Sequence, residues 1–262
     1  MIGDPAPSPV TIIDRQSTDA VIFDMDGVVT QTASVHAAAW SALFAQYLAT
    51  HAHRTGDSIP PFTELDYLRY VDGKPRSAGV RDFLASRNIV LPEGEPDDRP
   101  EQETVWGLGN RKNAFFLRAL EEHGVQVYDS TITLIHRLKE CGWRVGIISA
   151  SRNTTTVLNA AGIRDLFAVQ IDGLVAADLD LPGKPDPAVF LTAAQRLETP
   201  PARAVVIEDA IAGVQAGRGG GFGLVIGVDR GGNAEALAAA GAHAVVKDLA
   251  EVRLARAGSP CA

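Results

Sequence analysis

The chain is poor in cysteine, methionine and aromatic residues: two Cys, two Met and an aromatic share of 6% in 262 residues. Cys141 and Cys261 are too few and too scattered for a disulfide framework or a zinc site. Positive charge is also in deficit. Lys and Arg number 24 against 32 Asp and Glu, a formal net charge of −8, which argues against the basic face of a nucleic-acid binder. No apolar run reaches the roughly 18 residues of a membrane helix. The segment before Ala20 lacks a basic start followed by an apolar core, so no secretory signal is visible and a cytoplasmic protein is expected. No internal repeat is evident. What remains is ordinary for a globular protein, 46% hydrophobic and 21% charged, and long enough for one core plus a smaller unit.

Against that background one stretch stands out: Val21-Ile22-Phe23-Asp24-Met25-Asp26-Gly27-Val28. Val21 to Phe23 have no alternating polar residue and read as a buried strand of a parallel sheet. Sites in open α/β sheets lie just beyond the C-terminal strand ends. In extended chain, residues i and i+2 project to one side, so Asp24 and Asp26 can address one ligand, and Gly27 lets the backbone turn close to it. Three later segments repeat the pattern. Trp143 to Ile148 runs into Ser149-Ala150-Ser151-Arg152-Asn153, hydroxyls and a cation at the start of a helical pattern. Gly183-Lys184-Pro185 presents a lysine in a turn that leads into a helix from Pro187 to Leu197. Ala204 to Ile207 ends in Glu208-Asp209. Each alone reads as a cap, a surface lysine or a solvated helix start; four in series at strand ends point to a site.

The C-terminal third completes an α/β sheet. Helices are expected over 210–217 and 234–240, and strands over 222–228 and 243–246. The run from Gly217 to Gly223 is not a dinucleotide motif: the sixth position of its G-x-G-x-x-G frame is Phe222, and it leaves a helix and enters a strand, the reverse of the required order.

On these four motifs the chain resembles the haloacid dehalogenase superfamily of phosphotransferases, over about Ala20 to Leu249. The resemblance implies a Rossmann-like parallel sheet flanked by helices, with Asp24 as the nucleophile that becomes an aspartyl-phosphate and Asp26 as general acid/base. It also implies Mg²⁺, a hard cation suited to oxygen ligands. Its ligands would be Asp24, the backbone carbonyl of Asp26, Asp209 and, as a further candidate, Glu208. Ser149 and Lys184 would hold the transferring phosphoryl oxygens.

Over a hundred residues separate the first two motifs, more than a crossover needs. The resulting division is a core of residues 20–32 and 126–249, a helical insert over 33–125, and tails at 1–19 and 250–262. Within the insert, Val35 to Leu48 and Arg111 to His123 are apolar at helical spacing, with Gly124 as a stop. Glu93, Glu95, Asp97, Asp98, Glu101 and Glu103 crowd a proline-punctuated stretch that reads as a solvated loop. The insert matches the superfamily's mobile cap. Its Val71-Asp72-Gly73-Lys74-Pro75-Arg76 resembles the cap loop of the β-phosphoglucomutase-like subfamily, with Gly73 and Arg76 matching and Arg76 placed to grip a distal phosphate. Ser151-Arg152-Asn153 resembles the second contact to that phosphate. Thr32, His36 and Trp40 match as well, His36 as the histidine coupling cap closure to the general acid/base.

Two departures stand out. Asp72 replaces the subfamily's lysine before the glycine, leaving Lys74 two places later as a candidate cation, and Ala210-Ile211 replace polar residues. The implied activity is interconversion of β-glucose 1-phosphate and glucose 6-phosphate through glucose 1,6-bisphosphate. A sugar-phosphate phosphatase would share every core residue; a non-catalytic regulatory domain that binds sugar phosphates is the third reading. The Asp-Gly-Lys-Pro-Arg form resembles the branch associated with disaccharide phosphorolysis, which implies a phosphorylase as functional partner.

Overall fold

The computed structural model describes residues 11–256 and 259–260. In chain order its strands are β1 (Ile12–Asp14), β2 (Ala20–Asp24), β3 (Arg144–Ile148), β4 (Val169–Ile171), β5 (Ala204–Glu208), β6 (Leu224–Val228), β7 (Ala244–Val246), β8 (Arg253–Arg256) and β9 (Ser259–Pro260). Six of them form one parallel sheet in the order β4-β3-β2-β5-β6-β7. The chain leaves β2 to build β3 and β4 on one side, then returns to place β5 on the other. β2 is therefore the switch point, where a crevice opens beyond the strand ends. The register brings the motifs level: Asp24 pairs with Ile148 and Phe23 with Ile207.

Helices cover both sheet faces, so β2 and β5 are buried along their whole length, as their unbroken apolar runs require. The helices are α1 (Thr32–Thr55), α2 (Glu64–Asp66), α3 (Arg76–Ala85), α4 (Val105–His123), α5 (Asp129–Glu140), α6 (Thr154–Ala160), α7 (Gly173–Asp178), α8 (Ala188–Arg196), α9 (Ile211–Gly219) and α10 (Ala234–Ala239). One apolar cluster lies on each face of the sheet, around Phe23 and Ile135 on one side and Ile22 and Phe190 on the other.

A third cluster belongs to the helices between β2 and β3. Trp40, Leu43 and Phe44 of α1 meet Val80 and Phe83 of α3 and Leu108 of α4. Phe44 sits at its centre, 4.1 Å from the Phe83 ring and 4.9 Å from Phe62. Two chain crossings join these helices to the sheet side by side: Gln31 N–H donates to Gln126 O at 2.8 Å and Tyr128 N–H to Val29 O at 3.0 Å.

The structure departs from the sequence reading in several places. The stretches read as tails contain a parallel pair, β1 with β8, which buries Ile13 and Leu254. Two runs so short carry no legible periodicity. α4 begins six residues before Arg111 because Thr104 caps it, accepting from Gly107 N–H at 2.9 Å; Gly107 and Gly109 had masked that turn. β6 starts at Leu224, two residues late. Gly221 takes φ +69° and Gly223 N–H donates to Pro201 O and Ala204 O, closing the expected helix-to-strand turn first. Cys141 is disulfide-bonded, a pairing its isolation did not foretell; Cys261 lies outside the described residues. Among the described residues no helix is long and apolar enough to cross a membrane.

Candidate active site

A cavity of about 300 Å³ opens where β2 and β3 end, walled on the other side by α1, α4 and the segment 67–77. Asp24, Asp26, Ser149, Lys184 and Asp209 all line it. At its floor, Lys184 Nζ donates to Asp24 Oδ1 at 2.6 Å and also to Glu208 Oε1. All three groups are buried, Glu208 fully. The other oxygen of Glu208 accepts Ala210 N–H at 2.7 Å. Its fit depends on Gly213, where a Cβ would overlap the Glu208 carboxylate.

One ammonium does not balance this group. Burial pushes the Asp24 carboxyl well above its usual range, against the pull of Lys184. Burial and the Glu208 charge do the same to Asp209. Oxygen atoms of Asp24, Glu208 and Asp209 lie within 4.8 Å of one another. Beside them Gly27, at φ +88°, leaves the Asp209 carboxylate a space that a Cβ would fill. A crowded, all-oxygen donor set short of positive charge suits a hard divalent cation such as Mg²⁺.

Asp26 is held differently. Thr32 Oγ1 donates to its Oδ1 and Ser149 Oγ to its Oδ2 at 3.1 Å, while His36 Nε2 faces Oδ1 at 3.3 Å. Burial raises its carboxyl, but His36 and the two hydroxyls outweigh that and hold it at about 2. His36 stacks on Phe116 with ring centroids 4.0 Å apart, and its Nδ1 meets Lys112 Nζ. Burial and Lys112 lower the His36 imidazole, and burial lowers the Lys112 ammonium well below the lysine range.

The far end of the cavity collects cations. Arg76 and Arg152 both line it. Burial and the Arg152 charge bring the Arg76 guanidinium down to about 10. The Arg152 guanidinium lies 5.7 Å above the Trp106 ring, and Arg76 Nη1 donates to Asn110 Oδ1 at 3.1 Å. Among the described residues no carboxylate pairs with either arginine. The cavity thus has a carboxylate-and-lysine floor and a cationic far end.

Every predicted site residue except Thr32 and Glu208, which act from behind, lines this cavity, with Trp40, Gly73, Ala150, Ser151 and Asn153 among its walls. Two are held by protein partners, one of which, Asn113, itself lines the cavity. Lys74 Nζ donates to Asp82 Oδ2 at 2.8 Å, and Asn153 Nδ2 donates to Asn113 Oδ1 at 2.6 Å. Asp72 reaches the floor, where burial and Glu208 raise its carboxyl to about 6. Sequence reasoning missed Lys112, Asn113, Trp106 and Tyr67. For Lys112 a signal existed: Leu108 and Phe116 lie four residues to either side and are fully buried, so the lysine sits on an inward stripe.

The family model of the haloacid dehalogenase-like hydrolases matches residues 18–221. A β-phosphoglucomutase from Mycobacterium bovis is 45% identical over 237 residues, covering 89% of this chain and 90% of that protein. An uncharacterized glycosyl hydrolase from Mycobacterium tuberculosis is 45% identical over 244 residues, 93% of this chain but 18% of that protein. The crystal structure of a β-phosphoglucomutase from Clostridium difficile superposes with a TM-score of 0.69 at 27% identity, covering 89% of this chain and 92% of that one. Proteins named as phosphatases also occur among the relatives.

Proposed function

Because the chain belongs to the haloacid dehalogenase-like hydrolases, we propose that it is a Mg²⁺-dependent β-phosphoglucomutase, converting β-glucose 1-phosphate to glucose 6-phosphate through a bound glucose 1,6-bisphosphate. The observation that carries this reading is the two-ended cavity. A floor able to transfer a phosphoryl group faces arginines whose charge no carboxylate cancels. A monophosphate needs one end; a sugar carrying two phosphates needs both.

In this reading Asp24, kept in place by Lys184, attacks phosphorus as the bond to the sugar oxygen breaks. Asp26, ionised in the resting site, takes a proton from the sugar hydroxyl that recovers the phosphoryl group from Asp24, and returns it to the sugar oxygen that departs when Asp24 attacks the other phosphate of the bisphosphate. Ser149 and Lys184 meet the phosphoryl oxygens. Asp24, the backbone carbonyl of Asp26, Asp209 and Glu208 would hold Mg²⁺, which supplies the charge that offsets repulsion between carboxylate and phosphate. Arg76 and Arg152 grip the distal phosphate. The insert, residues 33–125, acts as a cap over the core of 20–32 and 126–249, with His36 and Lys112 linking its closure to Asp26. A phosphorylase that cleaves a disaccharide with phosphate would supply the substrate.

The phosphatase-named relatives favour a second reading, in which water takes the phosphoryl group from Asp24. Incubation with Mg²⁺, β-glucose 1-phosphate and a trace of the bisphosphate separates the two. The mutase yields glucose 6-phosphate in balance with substrate lost. Free phosphate released stoichiometrically would overturn it in favour of the phosphatase, and no turnover of any phosphate ester would leave only the regulatory reading.

A further inference from the structure

We propose that Asn110 is a positioning residue for Arg76, and that the acidic loop before α4 fixes it there. The inference rests on the reading of Arg76 as the distal phosphate anchor. A side-chain amide has two N–H donors and one oxygen acceptor. Asn110 Nδ2 spends its donors on Pro96 O at 3.1 Å and Asp98 O at 2.9 Å. Its oxygen therefore has to face the other way, where it accepts from Arg76 Nη1 at 3.1 Å. Arg76 in turn lies across α4 at Gly109, where an added Cβ would sit 3.1 Å from its Cδ.

The loop that supplies those carbonyls is tied down by its own acidic and polar groups. Asp98 Oδ2 accepts Thr104 Oγ1 at 2.5 Å, Asp98 Oδ1 accepts Gln102 Nε2 at 3.1 Å, and Arg99 N–H donates to Gln102 Oε1 at 2.6 Å. Arg111 Nε reaches back from α4 to Pro100 O at 2.6 Å. The stretch is solvated, as its charge implies, with Glu93, Glu95, Asp97, Glu101 and Glu103 exposed, and through Asp98 and its polar neighbours it is also a bracket around Asn110.

The choice of an amide has a physical reason. A carboxylate at position 110 would fix the guanidinium but also cancel its charge and compete with the phosphate. An amide oxygen fixes it and leaves the charge for the ligand. Asn110→Asp and Asn110→Ala should therefore differ, although both lose the loop contacts.

The test uses the full-length protein with Mg²⁺ and compares two reactions: priming by glucose 1,6-bisphosphate, and hydrolysis of acetyl phosphate, which has no distal phosphate. In Asn110→Asp the bisphosphate concentration for half-maximal rate should rise about tenfold or more relative to the acetyl phosphate KM, approaching Arg76→Ala. High salt should relieve part of the loss. Asn110→Ala should show a smaller shift in the same direction, and so should Asp98→Ala, which loosens the loop without touching the cavity. Melting curves check that each variant folds. If Asn110→Asp and Asn110→Ala shift both reactions equally, or neither, the residue is merely structural and the proposal falls. If Arg76→Ala leaves bisphosphate use intact while glucose 6-phosphate still forms, the distal-anchor reading fails and takes the proposal with it. If no glucose 6-phosphate forms in the unmodified protein, the mutase reading has failed instead, and unchanged inhibition of acetyl phosphate turnover by the bisphosphate in Asn110→Asp would overturn the proposal independently.

Discussion

Lys184 illustrates how one side chain decides both stability and chemistry. It is buried between two carboxylates, so its removal leaves Asp24 and Glu208 without a counter-charge. Stripping one partner from a buried ion pair costs about 3–5 kcal/mol. Lys184→Ala should lower the melting temperature and abolish phosphoryl transfer, and added Mg²⁺ should recover more stability in the variant than in the parent. Asp24→Asn should behave oppositely in stability. Burial disfavours the Asp24 charge, and Lys184 keeps Glu208 as a partner, so the fold should melt no lower while turnover disappears. Thermal melts beside a product assay check both signs; near-normal turnover in Asp24→Asn would end the phosphotransferase assignment. These residues are legible in sequence because each punctuates an apolar run with a turn. Lys112 is legible only as a lysine on the inward stripe of its helix, and tertiary packing is what reveals that it meets His36.

At the scale of elements, the strands that carry the site were legible; the edge strand β4, three residues long, and the attachments of the sheet were not. Unbroken apolar runs announce β2, β3 and β5, and their order fixes which strand ends can share a site. The β1–β8 pair, three residues in register, and the loop 92–104 have no such pattern. The loop's order comes from side chains bonding to backbone, which composition reports only as charge. The turn from β5 into α9 joins the two cases: its acidic pair was legible, its tolerance was not. Gly213 in the first turn of α9 faces Glu208 so closely that a methyl group would overlap the carboxylate. Gly213→Ala should force Glu208 or the helix to move, at a cost of about 1–3 kcal/mol, and should reduce turnover although the substituted residue lines no part of the cavity. The check is kcat with KM: a change confined to stability would show that the displaced carboxylate has no part in holding Lys184 or the metal.

For the whole molecule, one close meeting of the insert with the core lies at the segment that departs from the subfamily. A Cβ on Gly73 would sit 3.2 Å from the Ala210 Cβ, and one on Gly183 would strike the Pro75 ring. This packing carries Asp72 to the carboxylate floor, where burial and then the Glu208 charge raise its carboxyl from 3.8 to about 6. A raised acid binds its proton more tightly when folded than when unfolded, so its contribution to stability is complete below pH 3.8 and lost as pH climbs to about 6. Asp24 and Asp209 are raised as well and push in the same direction. The lowered His36 and His243 imidazoles push the other way, so the comparison with Asp72→Asn carries the expectation: with metal chelated, the melting temperature of the parent should fall relative to that of Asp72→Asn as pH rises from about 4 to 6. Mg²⁺ should flatten that fall, because it favours the charged form of the same oxygens in the folded state. Asp72→Asn should remove a share of the pH dependence in the chelated protein, with the Asp24 and Asp209 share left in place. A difference between the parent and Asp72→Asn that stays constant across this window in the absence of metal would mean that the insert does not carry Asp72 onto the floor in solution. The contact at Gly73 would then not describe how the two parts of the molecule sit together.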